Sequence, residues 1–249
     1  MPTILEVILL FGVGVLTSFI NVFAGGGSSI SLPILIFLGL DSSVANGTNR
    51  IALLSQNMAG ILSFRKENVS QIKLSLKLGL LTLPGAILGA FYSTKISDDL
   101  FQKILGIVMI GIAITILVPS SKHYVEEKIT KKLPWLIYPV MILLGFYGGF
   151  IQVGIGFLFM ISLHNILKMK LLYVNSHKLF IIMLYTIPAL IIFIVTDNVN
   201  WIYGIILGVG SWVGAWWSAK LAAKKGEKLI KIILIAAIIV MSFKLLGGF

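Results

Sequence analysis

Eight stretches of this chain, residues 4–23, 43–64, 71–93, 100–118, 134–153, 171–195, 199–220 and 228–247, are long, apolar and poor in charge. A helix rises 1.5 Å per residue, so about 20 such residues cross the roughly 30 Å hydrocarbon core of a bilayer. Inside that core every backbone N–H and C=O needs a partner from the protein, and a helix supplies one locally. Repeated eight times, the feature predicts an all-α, polytopic membrane protein. Composition agrees. The chain is 58% hydrophobic and 12% charged, whereas a soluble domain carries about 25% charged residues. A soluble fold and intrinsic disorder are therefore excluded. The net charge of +11 would invite a nucleic-acid partner in a soluble protein. Here no nucleic acid is expected, and the question is which face of the bilayer the charges occupy.

Cysteine is absent, which removes disulfides, thiolate zinc sites and a cysteine nucleophile. Met1-Pro2-Thr3 carries no Lys or Arg, and the apolar run behind it is too long for a signal-peptide core. The expectation is a first transmembrane helix that is retained.

Two further apolar stretches are short, residues 28–40 and 155–167. Each follows a glycine-rich break, Gly25-Gly26-Gly27 in one case and Gly154-x-Gly156 in the other. They occupy corresponding places in the chain. Aligning Gly14 and Asn21 with Gly145 and Gln152 brings Asn46-Gly47-Thr48-Asn49-Arg50 onto Val174-Asn175-Ser176-His177-Lys178. Further on, Gly79, Thr82, Gly85 and Lys95 fall on Gly208, Ser211, Gly214 and Lys224. The chain reads as an internal duplication: a first repeat over 1–118, a polar linker over 119–133 and a second repeat over 134–249.

Charge decides between two topologies, because Lys and Arg near span ends favour the cytoplasmic side. If the short segments do not cross, the bases divide almost evenly. If they cross, the second repeat is inverted, and sixteen of the twenty bases, from Arg65 and Lys66 to Lys228 and Lys231, share one side. Arg50, Lys95, Lys103 and Lys244 remain on the other with Glu6, Asp41, Asp98, Asp99 and Asp197. The prediction is two inverted repeats built from eight long transmembrane helices and two short broken segments. Both termini lie outside and the linker is cytoplasmic. Inverted repeats with discontinuous helices are a plan of secondary transporters, whose substrate sites lie at the breaks near the midplane.

The candidate site residues follow from that plan. Asn21, Gly25, Gly26, Gly27, Ser28 and Ser29 form the first break. Broken backbone at membrane depth is tolerated where it is buried in protein or lines a cavity. A serine-capped helix N-terminus offers N–H groups to an anion; the alternative is a tight glycine-packed turn. Gln152, Gly154 and Gly156 form the second break. Thr48, Asn49 and Arg50 open one long span, and Ser176, His177 and Lys178 (after Asn175) open its mate. Each cation enters about 10 Å from its polar end, from opposite faces. Intramembrane cations are costly and suggest function, here an anionic substrate stripped of its hydration. Snorkelling to the interface is the alternative. Gln56 and Asn57 rank lower, since intramembrane amides often just join helices.

His177 is the candidate carrier of a coupled proton, whereas His123 and His164 read as linker and interface residues. No spacing suits a metal or a cofactor. An intramembrane enzyme is the less favoured rival; Ser28 with His177 is its only nucleophile–base pairing, without a supporting motif. An anion channel is the other. The linker reads as a surface segment facing anionic lipid, and Trp201, Trp212, Trp216 and Trp217 as partly a belt.

Val22-Phe23-Ala24-Gly25-Gly26-Gly27-Ser28-Ser29-Ile30-Ser31-Leu32-Pro33, the second glycine break and Asn46-Gly47-Thr48-Asn49-Arg50 together resemble the TauE/SafE sulfite exporter family, also called the toluenesulfonate uptake permease family. The resemblance spans nearly the whole chain, and its second half follows the pattern more loosely. It implies a multi-pass transporter of the bacterial inner membrane for sulfite, an organosulfonate or a related small anion. The bilayer is its other expected partner; a coupling proton or ion is left open, since no membrane-centred carboxylate supports one.

Overall fold

A computed structural model describes residues 2–67, 72–117 and 133–245, without the side chains of 24, 112–117 and 224–245. Among the described residues there are nine α-helices and no strand: α1 (Ile4–Ala24), α2 (Ser28–Phe37), α3 (Ser42–Lys66), α4 (Ile72–Ser93), α5 (Asp98–Leu117), α6 (Ile137–Phe150), α7 (Ile155–Leu167), α8 (Leu171–Val195) and α9 (Trp201–Leu245). The linker 119–133, apart from Leu133, lies outside the described residues, as does His123.

Local chemistry sets several of these boundaries. At the start of α1, the Thr3 hydroxyl accepts from the Glu6 N–H and the Glu6 carboxylate accepts from the Thr3 N–H, a capping box that satisfies two orphan donors. The helix ends at Gly25, whose φ of 79° only glycine adopts without strain. At the start of α3 the Ser42 N–H donates to Asp98 of α5 over 2.6 Å, a carboxylate on a helix N-terminus.

Burial departs from that of a soluble protein, since the outer surface is apolar and the core, though largely apolar, also holds many polar groups. Ile4, Phe37, Ile107 and Leu143 are exposed, whereas Asn46, Thr48, Arg50, Asn57, Gln152, Asn175 and Lys178 are buried. A hydrocarbon solvent produces that arrangement, because it solvates apolar side chains and leaves polar groups to find one another.

Glycines set the packing. α1 and α9 run parallel with their backbones in contact: a Cβ on Gly14 would collide with the Leu207 carbonyl, and one on Gly214 with the Val15 carbonyl. α4 and α6 also run parallel, and a Cβ on Gly145 would collide with Thr82, one on Gly85 with the Ile142 carbonyl. α3 lies parallel to α9, joined by Asn200 N–H to Thr48 Oγ1 (2.9 Å), Ser55 to the Gly208 carbonyl (2.7 Å) and Ser63 to the Trp216 carbonyl (3.1 Å). α8 lies parallel to α4, with Ser75 beside His177 and Gly79 against Ile181 and Leu184. α3 and α8 cross antiparallel, Gly47 meeting Phe193 and Gly60 meeting Leu179. Consequently α3 ends, and α4 and α8 begin, at the same end of the bundle. Arg65, Lys66, Lys73, Lys77, Lys168 and Lys170 gather there, and Asp41, Asp98, Asp99 and Asp197 lie at the opposite end.

The helices depart from the expected spans in two places. Residues 134–153 were expected to span, yet α6 has 14 residues. It unwinds after Phe150 because Gln152 (φ 54°) and Gly154 (φ 70°) take left-handed backbone. Two spans were expected over 199–220 and 228–247, but α9 runs unbroken for 45 residues. No proline intervenes, and Gly226 alone costs a helix only about 1 kcal/mol. Among the described residues, four helical stretches are long and apolar enough to cross a membrane: Ile4–Phe23, Ile72–Ser93, Leu171–Val195 and Trp201–Ala223. The short segments appear as α2 and α7, of 10 and 13 residues.

Candidate functional site

The two breaks meet. A Cβ on Gly25 would overlap the backbone of Gly156 and Phe157, and one on Gly156 would overlap Gly25. Two helix interruptions 131 residues apart therefore pack backbone against backbone in the interior, which glycine alone permits at both positions. Gly27 is held as closely against the Thr17 carbonyl. Ser28 and Ser29 are buried at the start of α2, and the Ser29 hydroxyl donates to the Gly26 carbonyl over 2.6 Å.

Each intramembrane cation is fully buried and reaches a broken helix. Arg50 of α3 donates through Nη1 to the Gly148 carbonyl at 3.2 Å and through Nη2 to the Gly149 carbonyl. Those carbonyls belong to the last turn of α6. Lys178 of α8 donates to the Asn21 and Val22 carbonyls in the last turn of α1, both at 3.0 Å. It also reaches Asn175 Oδ1 at 2.8 Å and Met160 Sδ at 3.6 Å. The arrangement is electrostatically sound, since the last turn of a helix carries unpaired carbonyls and about half a negative charge. Snorkelling is ruled out: Arg50 is 0% and Lys178 1% exposed. From the α3–α8 register the two cations lie about 16 Å apart along the bundle.

Their unused capacity differs. The Lys178 ammonium has as many partners as an ammonium can hold. The Arg50 guanidinium lies over the Phe193 ring at 4.6 Å, and its Nε has no partner among the described residues. Of the nine acids, Glu6, Asp98 and Asp99 lie in first helical turns, Asp41, Glu67 and Asp197 at helix ends or in loops, Glu126 and Glu127 in the linker, and Glu227 within α9 beyond its apolar stretch Trp201–Ala223. The one ion pair among the described residues is Lys103 with Asp99, on an exposed turn of α5.

Amides knit the second break to α3. Gln152 Nε2 donates to Asn46 Oδ1 (2.9 Å) and to the Asn46 carbonyl (3.0 Å). Asn46 in turn donates to Ser93 and to the Phe150 carbonyl. Gln152 combines left-handed backbone with complete burial, a strained conformation of the kind concentrated at functional sites. Several buried polar atoms nearby have no partner among the described residues: Asn49 Nδ2, Gln152 Oε1, Asn175 Nδ2, His177 Nε2, Asn57 Oδ1, Tyr185 Oη and Thr186 Oγ1. Leaving such groups unpaired costs about 1–3 kcal/mol each.

Thr48 stands apart from this cluster of open donors, because its hydroxyl accepts from the α9 N-terminus. His177 pairs with Ser75 of α4 at 2.7 Å and not with Ser28. Sequence reasoning passed over Asn46 and Ser75 as individual residues, and over Tyr185 and Thr186 entirely. One signal for Tyr185 was available: it lies seven residues after Lys178, two turns along the same helix face, in an otherwise apolar run. Asn57 bears the same relation to Arg50. Among the described residues no group of three His, Asp or Glu side chains is placed to hold a metal.

The family model described as "Sulfite exporter TauE/SafE" matches residues 10–245. A "Probable membrane transporter protein ORF9" from a Sinorhizobium species is 27% identical over 96% of this chain and 91% of its own length. The "Probable membrane transporter protein YfcA" of Escherichia coli K12 is 28% identical over 96% of this chain and 88% of its own. "Probable membrane transporter protein YunE" of Bacillus subtilis is 22% identical over 89% of this chain and 90% of its own. No solved structure gives a significant match.

Proposed function

This chain belongs to the sulfite exporter TauE/SafE family, a membrane transporter family, and on that premise we propose that it is a secondary transporter of a small anion in the bacterial inner membrane. Sulfite, an organosulfonate or a related sulfur oxyanion is the substrate class that the family name favours. The observation that carries the anion reading is the pair Arg50 and Lys178: two cations buried beside the crossing of two helix breaks, with no acid in the span interiors. Charge of that kind attracts an anion that sheds its water on entry. Asn49 Nδ2, Asn175 Nδ2 and Arg50 Nε are the open donors able to replace that water.

We read the chain as two inverted repeats, 1–118 and 134–249, with the linker in the cytoplasm and both termini outside. Matched contacts support this. Gly14 meets Ser211 of α9 as Gly145 meets Thr82 of α4, and these are pairs of aligned positions. The α1–α9 pair also runs opposite to the α4–α6 pair. Alternating access would then exchange the two cation–carbonyl clasps, since Arg50 holds the broken helix of the second repeat and Lys178 that of the first. Uptake of labelled sulfite and sulfonates into proteoliposomes tests the reading. Saturable flux and counterflow are expected. Flux that never saturates would indicate a channel, and no flux of any anion would refute the assignment.

A further inference from the structure

A groove of about 800 Å³ opens on the outer surface of the bundle between α3 and α9, lined by Leu62, Arg65, Lys66, Trp212, Trp216 and Trp217, with Val213 beside them. It lies at the basic end, well away from the helix breaks. Its chemistry is divided between its two walls. The α3 side carries two exposed cations at the last turn, and the α9 side carries indoles. Lys66 is already poised: its ammonium lies 4.8 Å from the centre of the Trp216 ring. The wall is fixed rather than floppy, because Ser63 one turn earlier donates to the Trp216 carbonyl. Every charged side chain lining the groove is cationic; Glu67 follows Lys66 in sequence but does not line it. Away from the basic end the surface becomes apolar, with Leu62 and Val213 exposed, while Trp217 is exposed beside the bases, about level with Arg65.

We propose that this groove binds one anionic phospholipid. The phosphate sits between Arg65 and Lys66, and an acyl chain lies along Leu62 and Val213. A free oxyanion would use the cations but not the apolar wall, and a zwitterionic lipid would use the wall but bring its own cation against Arg65 and Lys66. Only an anionic lipid satisfies both halves. Interfacial tryptophans and juxtamembrane bases each favour such a position separately, and here one walled groove holds both.

Tryptophan quenching tests this directly, since three of the five tryptophans line the groove. The protein carrying Trp135→Phe and Trp201→Phe, which leaves only those three, is placed in phosphatidylcholine nanodiscs. A minor fraction of dibromo-phosphatidylglycerol or of dibromo-phosphatidylcholine is added. Stronger quenching by the brominated phosphatidylglycerol is expected. Adding Arg65→Gln and Lys66→Gln should abolish that excess, by about thirtyfold in apparent affinity. Both residues are exposed, so folding is not at stake. In the unaltered groove, raising the salt should weaken the excess in the same direction. Equal quenching by the two lipids would overturn the proposal. So would an excess that survives the double substitution, or one that inorganic phosphate displaces.

Discussion

Arg50 and Lys178 are both buried cations, yet they do different work. The Lys178 ammonium is saturated by two α1 carbonyls, Asn175 and Met160. Lys178→Met keeps the volume and removes the donors, so about 1–3 kcal/mol of stability should be lost. Thermal unfolding in detergent should show this as a drop of several degrees. Arg50 keeps an open Nε, and its loss should act on transport. Arg50→Ala should abolish anion flux while the protein remains monodisperse, and Arg50→Lys should not restore it, because an ammonium that bridges the Gly148 and Gly149 carbonyls has no counterpart to the open Nε donor. Normal flux in Arg50→Ala would remove it from the site. Gly25→Ala is the sharpest backbone test: the methyl would enter the Gly156 backbone, and Gly25 also has left-handed φ. Transport and yield should both collapse, whereas Gly12→Ala, with open space around it, should be silent.

At the level of elements, the instructive case is α9. Its 45 residues make a helix about 67 Å long, twice the hydrocarbon thickness. Its amino-terminal half packs on α1 and α3 through Gly210, Gly214 and the Ser55 and Ser63 hydroxyls. A second apolar run follows the cluster Lys220, Lys224, Lys225, Lys228 and Lys231. The proposed topology puts those bases at the cytoplasmic face and needs the chain to turn back after them, whereas α9 runs on through Gly226 without a break; reporter fusions decide between the two. On the proposed topology a reporter fused after Phe249 should be active outside the cell, and one inserted at Lys128 inside. A cytoplasmic Phe249 would leave the final run uncrossed and cost the ten-element topology its last member. The short helices α2 and α7 are simpler. Each begins where glycine releases the chain from the preceding helix, so their length was visible in the residues themselves.

In the whole molecule, two helix pairs held by glycines, α1 with α9 and α4 with α6, flank the antiparallel crossing of α3 and α8. The cations reach across this arrangement to the ends of α1 and α6, so the ends of the broken helices are tied to distant elements as well as to their own neighbours. Severing both ties at once, in Arg50→Ala with Lys178→Met, should cost more than the two changes separately if the clasps are coupled through the Gly25–Gly156 contact; strict additivity in thermal unfolding would show them to be independent. The sequence by itself determined the helical class, the membrane environment, both glycine breaks and the presence of two cations inside long apolar runs. All of these follow from length, period and composition within about 20 residues, and hydrocarbon leaves few alternatives to a helix. Tertiary structure alone decided that the breaks touch, that Arg50 and Lys178 face carbonyls 98 and 157 residues away, that His177 meets Ser75, and that α9 continues through Gly226. Contacts so distant in the chain leave no local pattern, because they depend on which backbones can approach closely enough to share their unpaired groups.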